Sequence, residues 1–475
     1  MHRFAVLLSL LVACADYAKP SVGFYESGDF ANAARAADQG LAQHPDDDAL
    51  WAMRVRSALA LGDPDGVAKA YAGYVGHRGD DDQELLHGLA LATLGQALAS
   101  PSAKLKMSAI ETIEHLELQP LADDVAAAMG DNDDRVAATA AIAVLHAYPQ
   151  APQVADAMLH SESPEARRIV IAGLARKAGT IVTGELEKAA NDPDPRVRRA
   201  AIDGLGRLAD KDAVTVLAKR LADPDEAVRA SAASALAEIG IGDLAAFAKK
   251  ALADESVAVR VAGVELLAAA EQRDQLAQLV NDQDAIVALE AVLAIEQLGA
   301  PMHKREGKMV HDFVAPHTGL GAAVVQRAIA SPKWEVRAGG ANMIVRILGK
   351  AAAMPIAEQL AKDPDAHVQL AAARVLSHDA ATRDQAIAVF RAQLNGELAT
   401  QAAADLAALD GDPDALAKLA ALVRDPLRTA EQRADAASAH LIAHKITPGL
   451  VAALADASGV VRVEAASVLA ALAKD

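Results

Sequence analysis

Asp192-Pro193-Asp194-Pro195-Arg196-Val197-Arg198 is followed 31 residues later by Asp223-Pro224-Asp225-Glu226-Ala227-Val228-Arg229, and 31 residues after that by Asp254-Glu255-Ser256-Val257-Ala258-Val259-Arg260. An acidic turn, then Val-Arg, then an Ala-rich apolar run is the phrase that decides the fold. Val214, Leu217, Ala218 and Leu221 lie at i, i+3, i+4, i+7 before the second copy. Val228, Ala232, Ala235, Leu236 and Ile239 continue with helical period after it. Asp223-Pro224-Asp225 stops one helix and starts the next, because Pro cannot continue a helix and Asp accepts from free amides at a helix start. Gly240 and Gly242 mark the exit. Each copy therefore predicts a helix pair. One such pair cannot bury its apolar stripe alone, but stacked pairs can.

Weaker copies start at Ser100, Asp131, Ser161, Asp282, Ser331, Asp363, Asn395, Asp425 and Asp456, spaced mostly 28 to 32 residues apart, with one interval of 49. That predicts an all-α chain, an α-solenoid of about twelve pairs from Ser100 onward. Composition agrees. Hydrophobic residues make up 52% of the 475, which excludes general disorder, yet only 3% are aromatic. A core of Ala, Leu, Val and Ile favours close-packed helices over sheets. The net charge of −18 argues against nucleic acid, whose phosphates need a basic face. A single Cys excludes an intramolecular disulfide framework and any Cys-rich metal site.

The repeated phrase resembles the HEAT repeat, in the short-period form of the phycobilin-lyase-like group, over Ser100 to Asp475. The resemblance implies that each Asp-rich turn lies within a repeat and that each helix starting Val-Arg lines the concave face. It also implies a ladder in which the Arg pairs with turn carboxylates. Carried over, the ladder uses Arg167, Arg198, Arg229, Arg260, Arg337 and Arg462 with Asp192, Asp223, Asp254 and Asp456. It should break at Ala137, Ala288 and Gln369. Opposite charges at this spacing read as structural pairs in preference to an anion-binding row.

Residues 17–74 differ, holding seven of the 13 aromatics: Tyr17, Phe24, Tyr25, Phe30, Trp51, Tyr71 and Tyr74. Gly28-Asp29 and Gly62-Asp63 are 34 residues apart, as are Tyr17 and Trp51, and Ala37 and Tyr71. With Ala33, Leu41 and Pro45 these positions resemble the tetratricopeptide repeat, although Pro20 and Arg54 stand where that family prefers Leu, and Pro64 replaces an aromatic. Two to three such pairs, within 14–97, are expected to cap the solenoid that fills 98–475. The sharper alternative is a peptide groove lined by Tyr25, Trp51 and Tyr71.

Phe4 to Val12 is a nine-residue apolar run behind His2 and Arg3, too short to span a bilayer. Leu11-Val12-Ala13-Cys14 resembles the bacterial lipobox. It implies a signal peptide over 1–13 and a lipid on Cys14; cleavage after Ala15 is the alternative. Ala15, where Asp would signal inner-membrane retention, points to the outer membrane, facing the periplasm or the cell surface.

The 49-residue interval holds an insertion over 300–318. It carries His303, His311 and His317, the bases Lys304, Arg305 and Lys308, and Phe313, with Trp334 following. Insertions in repeats map to loops at binding edges. Lys304, Arg305, Lys308, His311, Phe313 and Trp334 are the candidate partner contacts. The three His are weak metal candidates, because spacings of 8 and 6 match no standard zinc arrangement. His440 and His444 would share one helix face as a solvated or partly packed pair. No nucleophile-elbow motif and no cofactor motif is present. The expectation is a non-enzymatic, membrane-tethered protein-binding scaffold of the cell envelope. A chromophore-lyase-like enzyme, or a metal-linked module acting through the His-bearing insertion, are the alternatives.

Overall fold

The computed structural model describes residues 17–209, 211–299, 302–305, 308–311 and 319–473. Two compact units divide the chain: Met1–Val136 with Phe390–Asp475, and Ala137–Val389. Packing thus groups the chain differently from the sequence boundary at 97/98, because its last repeats join its first helices.

The first unit opens with α1 (Lys19–Glu26), α2 (Phe30–Leu41), α3 (Asp48–Ala60), α4 (Pro64–Arg78), α5 (Gln83–Leu98), α6 (Ala103–His115) and α7 (Ala122–Ala127); α8 (Asp134–Ala143) crosses into the second unit. That unit continues with α9 (Ala151–Leu159), α10 (Pro164–Lys177), α11 (Thr183–Ala189), α12 (Pro195–Arg207), α13 (Val214–Arg220), α14 (Glu226–Ile239), α15 (Leu244–Leu252), α16 (Val257–Ala269), α17 (Arg273–Leu279) and α18 (Ala285–Gly299). A hairpin follows, β1 (Met302–Arg305) and β2 (Lys308–His311), and then α19 (Gly321–Ile329), α20 (Trp334–Leu348), α21 (Lys350–Leu360), α22 (Ala366–Ser377) and α23 (Arg383–Gln393). The first unit resumes with α24 (Ala399–Asp410), α25 (Pro413–Val423), α26 (Ala430–Ala443), α27 (Pro448–Ala452) and α28 (Gly459–Leu472).

The fold is an all-α solenoid, and each of the twelve turns read from the sequence precedes an even-numbered helix from α6 to α28. In the second unit the even helices lie side by side, α10 on α12, α12 on α14 and α14 on α16, and each odd helix backs its partner. Val197, Ala201, Ile202, Leu205, Leu217, Val228, Ala232 and Leu236 are fully buried between the two layers. Alanine at so many of these positions lets the helices approach closely, which explains a large core with few aromatics.

The acidic turns do two jobs. Asp192 accepts from the Asp194 amide at 2.8 Å and Asp223 from the Asp225 amide at 3.1 Å, which fixes each turn. Asp194 and Asp225 then cap α12 and α14, accepting from the amides of Arg196 and Val228. The Arg196 side chain, with the amides of Arg196 and Val197, holds the Asp194 carboxyl at about 2.

In the first unit α28 packs on α5 and α6, and α27 on α4. The hydroxyls of Thr112 and Ser467 meet at 2.7 Å, and Asp65 pairs with Arg424. The helices α4 and α5 therefore pack against the last repeats. Gly449, in α27, lets backbone meet backbone: a Cβ there would lie 2.4 Å from the Ala420 carbonyl oxygen and 2.7 Å from its Cα.

His440 is fully buried in α26. One ring nitrogen lies 2.9 Å from the Ala436 carbonyl and the other 2.9 Å from the Thr447 hydroxyl, which also caps α27. The network assigns the proton to Nδ1, donating to Ala436 O, and Nε2 accepts from Thr447. His444 ends the helix in a left-handed conformation, so the two rings do not form the pair expected on one face. Burial lowers the His440 pKa below its ordinary value. Below about pH 6.5 the unfolded chain takes up a proton that the folded chain resists, so stability falls as pH falls. We expect the thermal midpoint of the wild type to drop from pH 7 to pH 5 by more than that of His440→Gln. Parallel drops in the two proteins would show that His440 is not the group responsible.

Candidate functional site

The ladder arginines are the first candidates to place. Arg167 grips Asp192 through Nε and Nη2 at 2.8 and 2.9 Å, Arg198 grips Asp223 at 2.9 and 2.7 Å, and Arg229 grips Asp254 at 2.7 and 3.0 Å. Arg337 holds Asp363 in the same way at 2.8 and 2.9 Å. In each, Nη1 donates back to the carbonyls of the turn before its own helix, as Arg198 does to Asp192 and Pro193. Each guanidinium thus ties its own turn to the next one. These are bidentate, charge-assisted and shielded bonds, and their carboxylates are already occupied.

Arg260 departs from the expected ladder. Its Nη1 donates to the carbonyls of Asp254 and Glu255 at 3.1 and 2.9 Å, but its buried Nε has no partner among the described residues. The next turn Asp, Asp282, follows after 22 residues, where the other copies in this unit have 25 or 26. Among the described residues Arg462 likewise binds only the carbonyls of Asp456 and Ala457. Asp456 is taken instead by Arg433, at 3.0 and 2.9 Å. Sequence reading missed Arg433 because its turn is two residues longer than the others. It also missed Lys106 on Asp131 and Arg391 on Asp412, each at 2.5 Å. At the expected breaks, Gln369 keeps half the role through a 2.6 Å bond to the Asp363 carbonyl, and Ala137 and Ala288 have no donor to offer.

The even helices present their other face to solvent. Arg199 and Asp203 on α12, Glu265 on α16, Asn342 on α20 and Arg374 on α22 are exposed, with Ser234 on α14 half-buried. Ser234 donates to Glu265 across 2.6 Å, and Arg199 lies 3.7 Å from Asp203. A groove of about 270 Å³ runs between α12 and α14, lined by Asp203, Arg207, Ser231, Ser234 and Glu238. Both charge signs and neutral donors alternate along this surface.

The insertion is a β-hairpin where a loop was expected. Met302 pairs with His311, His303 with Val310, Lys304 with Met309 and Arg305 with Lys308. This register sets candidate residues from both strands opposite each other. Phe313 and His317 lie outside the described residues, as do Cys14 and the signal segment 1–13. No cluster of three metal-ligating side chains forms among the described residues. No described helix is long and apolar enough to cross a membrane. Trp334 is half-buried and stacks on His367 with centroids 4.0 Å apart.

The aromatic groove does not form from the three residues named for it. Tyr71 is 1% exposed, and its hydroxyl donates to Asp81 at 2.5 Å. Trp51 stacks on buried Tyr74 and donates to the Pro45 carbonyl at 2.7 Å. Both belong to the packing of α3 and α4. Trp51 and Tyr71 stand 34 residues after Tyr17 and Ala37 and are held in that packing, whereas Tyr25 lines a cavity.

Residues 151–237 match the family model described as HEAT repeats. None of the curated proteins is detectably similar in sequence to this chain. Among solved structures, the CpcE–CpcF complex of phycocyanin lyase from Nostoc sp. PCC7120 is similar at 22% identity. That match covers 50% of this chain and 92% of that one, with a TM-score of 0.31. The karyopherin Kap121p is similar at 14% identity over 84% of this chain and 49% of its own, with a TM-score of 0.36. An engineered protein is similar at 18% identity over 83% of this chain and all of its own, with a TM-score of 0.25. The repeat assignment rests on the 151–237 match and on the helix pairs themselves.

Proposed function

We propose that this chain is a non-enzymatic protein-binding scaffold of the bacterial envelope, tethered through a lipid on Cys14. The observation that carries the binding role is the mixed polar surface on consecutive even helices, Arg199 and Asp203 through Ser234 to Glu265. Ladder carboxylates are consumed by structure, whereas these side chains are presented to solvent. Interspersed signs and neutral donors suit a protein partner, whose surface is equally mixed, better than a polyanion. The tether rests on the lipobox-like Leu11-Val12-Ala13-Cys14, and Ala15 favours the outer membrane over the inner.

Two measurements test the reading. Metabolic labelling with an alkynyl fatty acid should mark the wild type and not Cys14→Ser, and outer-membrane fractions should hold the labelled protein. A photo-crosslinking residue at Arg199 or Glu265 should capture one specific protein in the native membrane, and the same residue at Lys188 on α11 should not. Removal of 301–317 then sorts the contacts: loss of capture assigns the hairpin a part, and survival leaves the helix face as the contact. Absence of label on the wild type would refute the tether, and absence of any specific capture would refute the scaffold.

A further inference from the structure

Arg462 is clamped like the other ladder arginines, but among the described residues its Nε–Nη2 edge grips no carboxylate. Its Nη1 is clamped by the carbonyls of Asp456 and Ala457 at 2.7 and 3.1 Å. The same clamp on Arg198 and Arg229 aims the Nε–Nη2 edge at the carboxylate of the following repeat. Among the described residues the Nε–Nη2 edge of Arg462 has no hydrogen-bond or ion-pair partner. It lines a cavity of about 310 Å³ within the first unit, whose walls come from α1, α2, α3, α5, the turn before α28 and α28 itself.

A second guanidinium, Arg56 of α3, lines the same cavity and likewise has no hydrogen bond or ion pair among the described residues. The carboxylate of Asp82, which acts on Arg56 at longer range, is engaged by the Tyr74 hydroxyl at 2.6 Å and the Leu85 amide at 2.9 Å. Asp456, also in the wall, is neutralised by Arg433. Burial depresses the Arg56 pKa, as expected for a cation without a close counter-ion. The rest of the wall is largely apolar, with Tyr25, Phe30, Leu59 and Leu89 contributing. Two half-buried guanidinium groups without a close counter-ion thus stand beside apolar side chains in one cavity. The volume is at the small end of the range for small-molecule sites.

We propose that this cavity binds an organic carboxylate with an apolar body, its carboxylate taking the place against Arg462 that a repeat Asp takes elsewhere in the ladder. Arg56 supplies the second charge, and the body lies against Phe30, Leu59 and Leu89. The ladder itself gives the ligand class, since this guanidinium edge grips a planar carboxylate bidentately at five other rungs. The site stands apart from the scaffold reading and does not depend on it.

Titration calorimetry on the full chain tests it, with hexanoate as probe and hexanamide and inorganic phosphate as controls. Hexanoate should bind once per chain and saturably, at least tenfold more tightly than either control. Arg462→Met and Arg56→Met should each weaken hexanoate at least tenfold, while circular dichroism shows both variants folded. Arg462→Lys should recover less than half of the lost affinity in logarithmic terms, because it keeps the charge and loses the fork. The peptide Gly-Ala-Leu with a free C-terminus, compared with its C-terminal amide, separates the two sources of such a group. Tighter binding than hexanoate assigns a peptide end, and weaker binding a free acid. Absence of binding by both carboxylates, equal binding of hexanamide or phosphate, or indifference to both methionine variants would overturn the proposal.

Discussion

Asp223→Ala should cost about 3–5 kcal/mol of stability, the range for removing one partner of a buried ion pair. The Asp223 side chain is fully inaccessible. It accepts two bonds from Arg198, one from Arg220 at 3.1 Å and one from the Asp225 amide. Alanine leaves two guanidinium groups and a turn amide without their acceptor. The exposed pair Arg199–Asp203 is the control, and Asp203→Ala should change stability by less than about 0.5 kcal/mol. Urea unfolding of the three proteins decides the matter, and similar losses for the two substitutions would show that the rungs do not bind the repeats together. Acid should act on the same bonds. Burial by itself would raise the Asp223 carboxyl, but Arg198, the Asp225 amide and Arg220 outweigh it and hold the group below its usual range. Asp254 and Asp363 are lowered as well. A lowered folded pKa gives stability that is present above about pH 4 and is lost as pH falls through the folded value. The rungs should therefore fail together below about pH 4, and Asp223→Ala should show a shallower acid loss than the wild type.

Gly449→Ala should be the second most damaging change, at about 3 kcal/mol, the upper part of the overpacking range. The atoms its Cβ would meet are the backbone oxygen, Cα and carbonyl carbon of Ala420, at 2.4, 2.7 and 2.8 Å. Backbone cannot move aside as a side-chain tip can, so α25 and α27 must separate. Ala420→Gly should not rescue it, since it removes only a side chain. Gly76, inside α4, has nothing within 4 Å of its Cβ position. Gly76→Ala should be neutral or stabilising by about 0.4–1 kcal/mol, through a less flexible unfolded chain. Thermal melts of the two alanine variants would contradict this reading if they moved the midpoint in the same direction by the same amount.

The repeat architecture was legible because one physical requirement recurs: each pair needs a helix stop, a turn and a cap, and Asp-Pro-Asp supplies all three. The rungs at Asp192, Asp223 and Asp254 could be read because their Arg lies at a constant distance. Arg433 could not, since a longer turn shifted it, and Arg260 misled, since the motif is intact while the partner turn is displaced. Tyr71 and Trp51 show a similar limit. Aromatics at repeat spacing signal burial as readily as a groove, and only the packing of α3 on α4 separates the two. The packing of α28 on α5 left no local mark in the sequence, because both faces are ordinary apolar stripes. The cavity holding Arg56 and Arg462 was hidden for the same reason.

The meeting of Thr112 with Ser467 spans 355 residues, and it sets an order of events during synthesis. At about 5–20 residues per second, roughly 20–70 s pass between the emergence of these two residues from the ribosome. Through that interval α5 lacks the cover that α28 later provides. The second unit has no such wait, since each of its helices closes on a neighbour already made. The interior of the chain is thus expected to mature before its beginning, and the nascent N-terminal helices are the natural substrate for a holding chaperone.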